Sequence, residues 1–131
     1  MTKENIIEGN KLFAEFLNDE KFGLIGKTDF HDGNNYVDTF NLPSGTPYKF
    51  NELKFHKDWN WLMQVVEKIE SIKDKKTDIK FDVVINVKVC CVGGVFEDIY
   101  QATAETKIEA TWIACLEFVK WYNKQNNGSQ N

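Results

Sequence analysis

From Ile79 to Cys91 apolar residues recur at every second position: Ile79, Phe81, Val83, Ile85, Val87, Val89 and Cys91. A period of two places them on one face of a β-strand. Lys80, Asp82, Val84, Asn86, Lys88 and Cys90 lie between them and are mostly polar. That alternation predicts an antiparallel sheet with one buried and one wet face. The run is longer than an ordinary strand, so a bend or bulge is expected inside it. Gly93-Gly94 suits a two-residue hairpin turn, because both central positions of a type I′ turn take positive φ. In that register Val92 faces Val95, Cys91 faces Phe96, Val89 faces Asp98 and Val87 faces Tyr100. A slip by one residue puts Glu97 and Ile99 on the apolar face instead of Asp98. Asp98 is then either an acid in water at a frayed edge or a pocket carboxylate with a raised pKa.

The segments on either side follow a helical period. From about Lys3 to Asp19, Leu12, Phe13, Phe16 and Leu17 form an apolar stripe, with Ile6 and Gly9 earlier and Lys11, Glu15 and Asn18 opposite. A second helix begins near Asp58, a suitable N-cap, and buries Leu62, Val65, Val66 and Ile69. Lys73 to Asp78 is a charged linker. In the third helix Thr106 and Glu109 fit a capping box. Ile108, Trp112, Cys115, Leu116, Val119 and Tyr122 form its stripe, and Ala110, Ala114, Phe118 and Trp121 widen it past half the circumference. Such a helix is buried on two sides or faces a partner chain, so a homo-oligomer is expected. Residues 126–131 are expected to be a disordered tail.

Between residues 22 and 47 the periodicity disappears, and Gly and Pro punctuate the chain. A structureless loop of that length is unusual in a compact domain. Either it holds a short strand at Tyr36 to Phe40, or it is a functional loop. Residues 28–35 are rich in side-chain oxygen but lack the spacing of a calcium loop. The pattern as a whole predicts an α+β fold over residues 1–125. An antiparallel hairpin or small sheet at about 79–102 packs against N-terminal, middle and C-terminal helices in a sandwich-like way.

Composition narrows the chemistry. At 131 residues the chain suits one domain that buries roughly two-thirds of its unfolded surface. A net charge of −4, with both signs interspersed, argues against a duplex nucleic-acid surface. All 16 basic residues are lysines, so no guanidinium clamp is available to an anion. An anion site would rely on Lys, backbone N–H groups or a helix N-terminus. Cys90, Cys91 and Cys115 show no CxxC spacing and are read as reduced, small hydrophobes of a cytosolic protein. No residue pattern suggests a metal, a cofactor or a catalytic constellation, and His31 and His56 stand isolated. No apolar run approaches the roughly 20 residues needed to span a bilayer.

Two stretches, residues 55–70 (FHKDWNWLMQVVEKIE) and 106–123 (TKIEATWIACLEFVKWYN), resemble small phage and prophage proteins of Bacteroidota-type hosts, grouped as a phage α-β-α sandwich domain. The resemblance implies a helix, two or three antiparallel strands and a helix. It implies no assigned chemistry, and a small accessory protein in the cytoplasm of an infected bacterium. Accessory proteins of that kind suggest counter-defence by sequestering a nucleotide signal, of a cyclic nucleotide or ADP-ribose type. A trap needs aromatic faces for a base, donors for phosphates and a loop that closes. The chain has ten Phe, four Trp and four Tyr, although most of these, Trp61 and Trp112 among them, belong to the core. Stacking on one aromatic contributes about 1–3 kcal/mol per base. The candidate ligand-binding residues are Tyr48, Lys49, Phe50, His31, Asp98 and Trp59, placed at a subunit interface that uses the loop. The alternative is an interaction module that binds a host protein and no small ligand.

Overall fold

The computed structural model describes residues 1–29, 36–94 and 98–128, without the side chains of Asp29, Asp98, Ile99 and Asn127. The elements in order are α1 (Lys3–Phe16), β1 (Leu24–Asp29), β2 (Tyr36–Asn41), β3 (Pro47–Lys49), a 3₁₀ turn (Phe50–Glu52), α2 (Trp59–Ser71), β4 (Asp82–Ile85), β5 (Val89–Gly93), β6 (Asp98–Thr103) and α3 (Lys107–Gly128). Three helices and two small antiparallel sheets make this an α+β protein. The chain divides into two compact units, Met1–Lys54 and Phe55–Asn131.

The first unit sets α1 beside a sheet of order β1-β2-β3. Thr2 caps α1, its side chain accepting from the Asn5 N–H at 3.2 Å. Phe13, Ala14 and Leu17 are fully buried, and so, unexpectedly, is Asn10. The strand expected at Tyr36 to Phe40 is β2. Its partner β1 pairs from Leu24↔Asn41 to Asp29↔Tyr36. That strand carries little apolar signal, because Leu24 and Lys27 are exposed and Gly26 has no side chain.

The second unit runs helix, three antiparallel strands, helix. α3 covers β5 and β6, and α2 touches both α3 and β4. The cap at Asp58 forms as expected, its carboxylate accepting from the Asn60 N–H at 2.8 Å. Thr106 likewise accepts from the Glu109 N–H at 3.2 Å.

The strand register differs from expectation. The run from Ile79 to Cys91 does not bend; it reverses. The Asn86 N–H donates to the Val89 carbonyl at 2.8 Å, and β4 folds back on β5 from Asp82↔Gly93 to Ile85↔Cys90. Residues opposite one another across an antiparallel pair share a face. The side facing α3 therefore carries Val83, Ile85, Cys90 and Val92, whereas Val89 and Cys91 change sides. Val87, at the tip of the reversal, is 75% exposed.

Gly93 is not a turn residue. It closes β5 opposite Asp98, with a register irregularity beside Val92. Val92 faces Tyr100, Cys91 faces Gln101 and Val89 faces Thr103, in place of the expected partners Val95, Phe96 and Asp98. This register sets Tyr100 and Ala102 beside Val92 and Cys90 on the helix-facing side. Residues 95–97 lie outside the described residues.

Two expectations for α3 also change. From Ala110 to Lys120 only Glu117 and Lys120 are exposed, so the apolar surplus is used within the chain and gives no argument for a partner. The helix continues to Gly128, so Asn126 belongs to it rather than to a tail.

Candidate functional site

A short loop joins α2 to β4. Its backbone is closed by the Asp74 N–H on the Ile79 carbonyl at 2.9 Å and the Asp78 N–H on the Asp74 carbonyl at 2.7 Å. Asp78 sits at a φ of 58°, a left-handed conformation that Asp tolerates better than most residues. The Asp74 carboxylate accepts from the Lys76 N–H at 3.0 Å. A further bond from the Phe81 N–H to the Ile72 carbonyl, 3.0 Å, ties the loop's two ends together. The sequence shows this segment only as a charged linker; its folding back decides where the charges stand.

The tie places Phe81 against the last turns of α3. Phe81 and Phe118 meet edge to face at 4.9 Å, and Phe81 and Trp121 at 5.9 Å. Phe118 also lies 5.6 Å from Trp121 and stacks on Tyr122 at 6.1 Å. Phe81 and Phe118 are buried, whereas Trp121 and Tyr122 are half-buried. The four rings pack with the offset geometry that aromatic quadrupoles favour.

Beside these rings is a cleft of about 110 Å³. Phe81, Trp121 and Tyr122 give it an apolar wall. Lys73, Lys75 and Lys76 stand at its edge with Asp74, and Gln125 and Asn126 supply amides. The three lysines are exposed. Lys73 lies 3.9 Å from Asp78. Among the described residues none forms an ion pair with Lys75 or Lys76. An apolar wall with a few convergent polar groups is the usual make-up of a small-ligand site. The surplus of ammonium groups favours an anion over a cation.

The residues proposed from sequence fall elsewhere. Tyr48 and Lys49 end β3 and Phe50 begins the 3₁₀ turn of the first unit. Their aromatic rings are not open platforms: the Lys54 ammonium lies 5.6 Å from the Tyr48 ring centre, and that of Lys11 lies 5.8 Å from that of Phe50. Trp59 opens α2 and is 36% exposed. Asp98 opens β6 opposite Gly93, with its side chain outside the described residues. His31 lies outside them altogether. Sequence spacing does not single out the lysines and rings of the cleft, although lysine donors and aromatic faces are the ingredients it offers. The available signal was the placement of Lys73, Lys75 and Lys76 directly before Phe81.

Two further groups of titratable residues occur in the second unit. On α2, Glu70 accepts from the Val83 N–H at 3.3 Å beside Asp82 of β4. Burial raises its pKa, and the Asp82 carboxylate adds to that rise. Cys90 on β5 and Cys115 on α3 share a hydrogen bond, and both are fully buried. That bond and burial push the Cys115 thiol well up. Among the described residues no three His, Cys, Asp or Glu side chains converge as metal ligands. No helix among them is long and apolar enough to cross a membrane.

Comparison with known proteins returns nothing: no family model, curated protein or solved structure matches the chain.

Proposed function

We propose that the chain is a binding protein rather than a catalyst, which holds a nucleotide-type signal and so lowers its free concentration in the cytoplasm of an infected bacterium. One observation supports the binding part: a cleft walled by Phe81, Trp121 and Tyr122 and edged by Lys73, Lys75 and Lys76. Rings hold a base by stacking, and ammonium groups donate to phosphate oxygens. The phage setting and the counter-defence role rest on the resemblance of residues 55–70 and 106–123 alone.

A thermal-shift screen tests binding. A ligand at a hundred times its Kd stabilises by about 2.7 kcal/mol, a rise in Tm on the order of 10 °C. Cyclic di- and trinucleotides, ADP-ribose derivatives and mononucleotides form the panel, and a rise with one class is the expected result. No rise with any class at millimolar concentration overturns the proposal.

Ile79, Val84 and Val87 favour a second proposal, an interaction module for a host protein. All three are exposed, at 48%, 46% and 75%. Single exposed apolar residues are common, so this observation is the weaker one. Recovery of one stoichiometric host partner, lost on Val84→Lys and Val87→Lys, would support it.

A further inference from the structure

The size of the cleft limits what part of a nucleotide enters it. Pockets that enclose a whole drug-sized ligand measure about 300–1,000 Å³. This one, at about 110 Å³, has room for a single ring system. The remainder of a larger ligand would extend past the rim, where Lys73, Lys75 and Lys76 stand.

We propose that the cleft takes one base against Trp121 and that Lys75 and Lys76 take a terminal phosphate or diphosphate, which makes the ligand a single-base nucleotide with an open phosphate chain. The inference rests on the proposed nucleotide binding and deepens it. Cyclic di- and trinucleotides fit the same geometry poorly. They carry two or more bases, for which this cleft has one place. Their phosphates are singly charged diesters within a ring, whereas the ammonium groups of Lys75 and Lys76, which have no ion-pair partner among the described residues, match a doubly charged terminal group. Asp74 keeps its charge while accepting from the Lys76 N–H at 3.0 Å, but Lys73, Lys75 and Lys76 at the cleft edge together outnumber Asp74 and Asp78. With exposed lysines and no arginine, the contact is a point-charge contact that weakens as salt rises.

The test uses the full ¹⁵N-labelled chain. The Trp121 indole resonance is assigned from a Trp121→Phe variant, and ADP, ADP-ribose and a cyclic dinucleotide are titrated in turn. ADP or ADP-ribose is expected to move the Trp121 resonance and to bind at least tenfold more tightly than the cyclic dinucleotide. Lys75→Glu/Lys76→Glu is expected to weaken that binding at least tenfold, with Tm and far-UV circular dichroism unchanged because both side chains are exposed. Nucleotide binding that leaves Trp121 unmoved and ignores the charge reversal overturns this inference but leaves nucleotide binding standing. Tighter binding of the cyclic dinucleotide at Trp121 overturns the ligand class. Binding of no nucleotide at all overturns both proposals.

Discussion

The ring of Phe40 presses on the backbone of Gly23 so closely that a β-carbon there would stand 2.4 Å from the ring Cζ. Phe40 is fully buried, so its ring has little freedom to withdraw. Gly23 also holds a φ of 153° and exchanges backbone bonds with Asp19 at 2.9 and 3.0 Å. Gly23→Ala is expected to destabilise the first unit by about 1–3 kcal/mol, the scale of overpacking. Urea unfolding of Gly23→Ala, alone and combined with Phe40→Leu, measures it. Equal losses with and without Phe40 would show that the ring contact is not the cause.

Asn10 is buried on the apolar side of α1, and its Nδ2 donates to the Leu53 carbonyl at 3.1 Å. Asn10→Ala removes that donor and leaves a buried carbonyl short of a partner. The expected loss is about 1–3 kcal/mol, readable by denaturant unfolding. A change below about 0.5 kcal/mol, the scale of an ordinary surface substitution, would contradict this role for the side chain.

Glu70 is raised in the folded state by burial, with the Asp82 carboxylate adding to it. A raised carboxyl binds its proton more tightly when folded than when unfolded. Its stabilising contribution is complete below the unfolded pKa and is lost as pH rises through the folded one. At neutral pH Glu70→Gln is therefore expected to stabilise, by about 0.5 kcal/mol after solvent screening. The advantage should shrink as pH falls through the folded pKa toward the ordinary carboxylate range. Paired urea titrations at several pH values follow the difference, and an advantage that grows on acidification would contradict the assignment.

The three thiols differ in access. Cys90 and Cys115 are fully buried against each other, whereas Cys91 is half-buried on the opposite side of β5. Burial keeps a reagent from Cys90 and Cys115, and the Cys115 thiol is in addition held well above its ordinary pKa by its bond with Cys90 and by burial. With a thiol reagent at pH 8, one cysteine is expected to react early in the native protein and all three in denaturant. Cys91→Ser should remove the early phase, and its persistence would mean that the buried pair is open to solvent.

Local pattern alone determined the helices and their starts. Asp58 and Thr106 cap their helices through contacts two or three residues away, and the stripe through Leu62, Val65, Val66 and Ile69 needs only the helical period. Period two also marks residues 79–91 as extended, whereas Tyr36 to Phe40, in a stretch without periodicity, is legible only as one of two alternatives, a short strand or a functional loop. Alternation is blind, however, to whether an extended chain continues or turns back, since pairing energy comes from the partner strand. The reversal at Asn86, the exchange of faces between Cys90 and Cys91, and the pairing of Gly93 with Asp98 were therefore settled only by tertiary contact. The same holds for the cleft. Its lysines and its tryptophan lie about fifty residues apart in sequence, and they meet because the loop closing Phe81 onto Ile72 carries that ring against the end of α3.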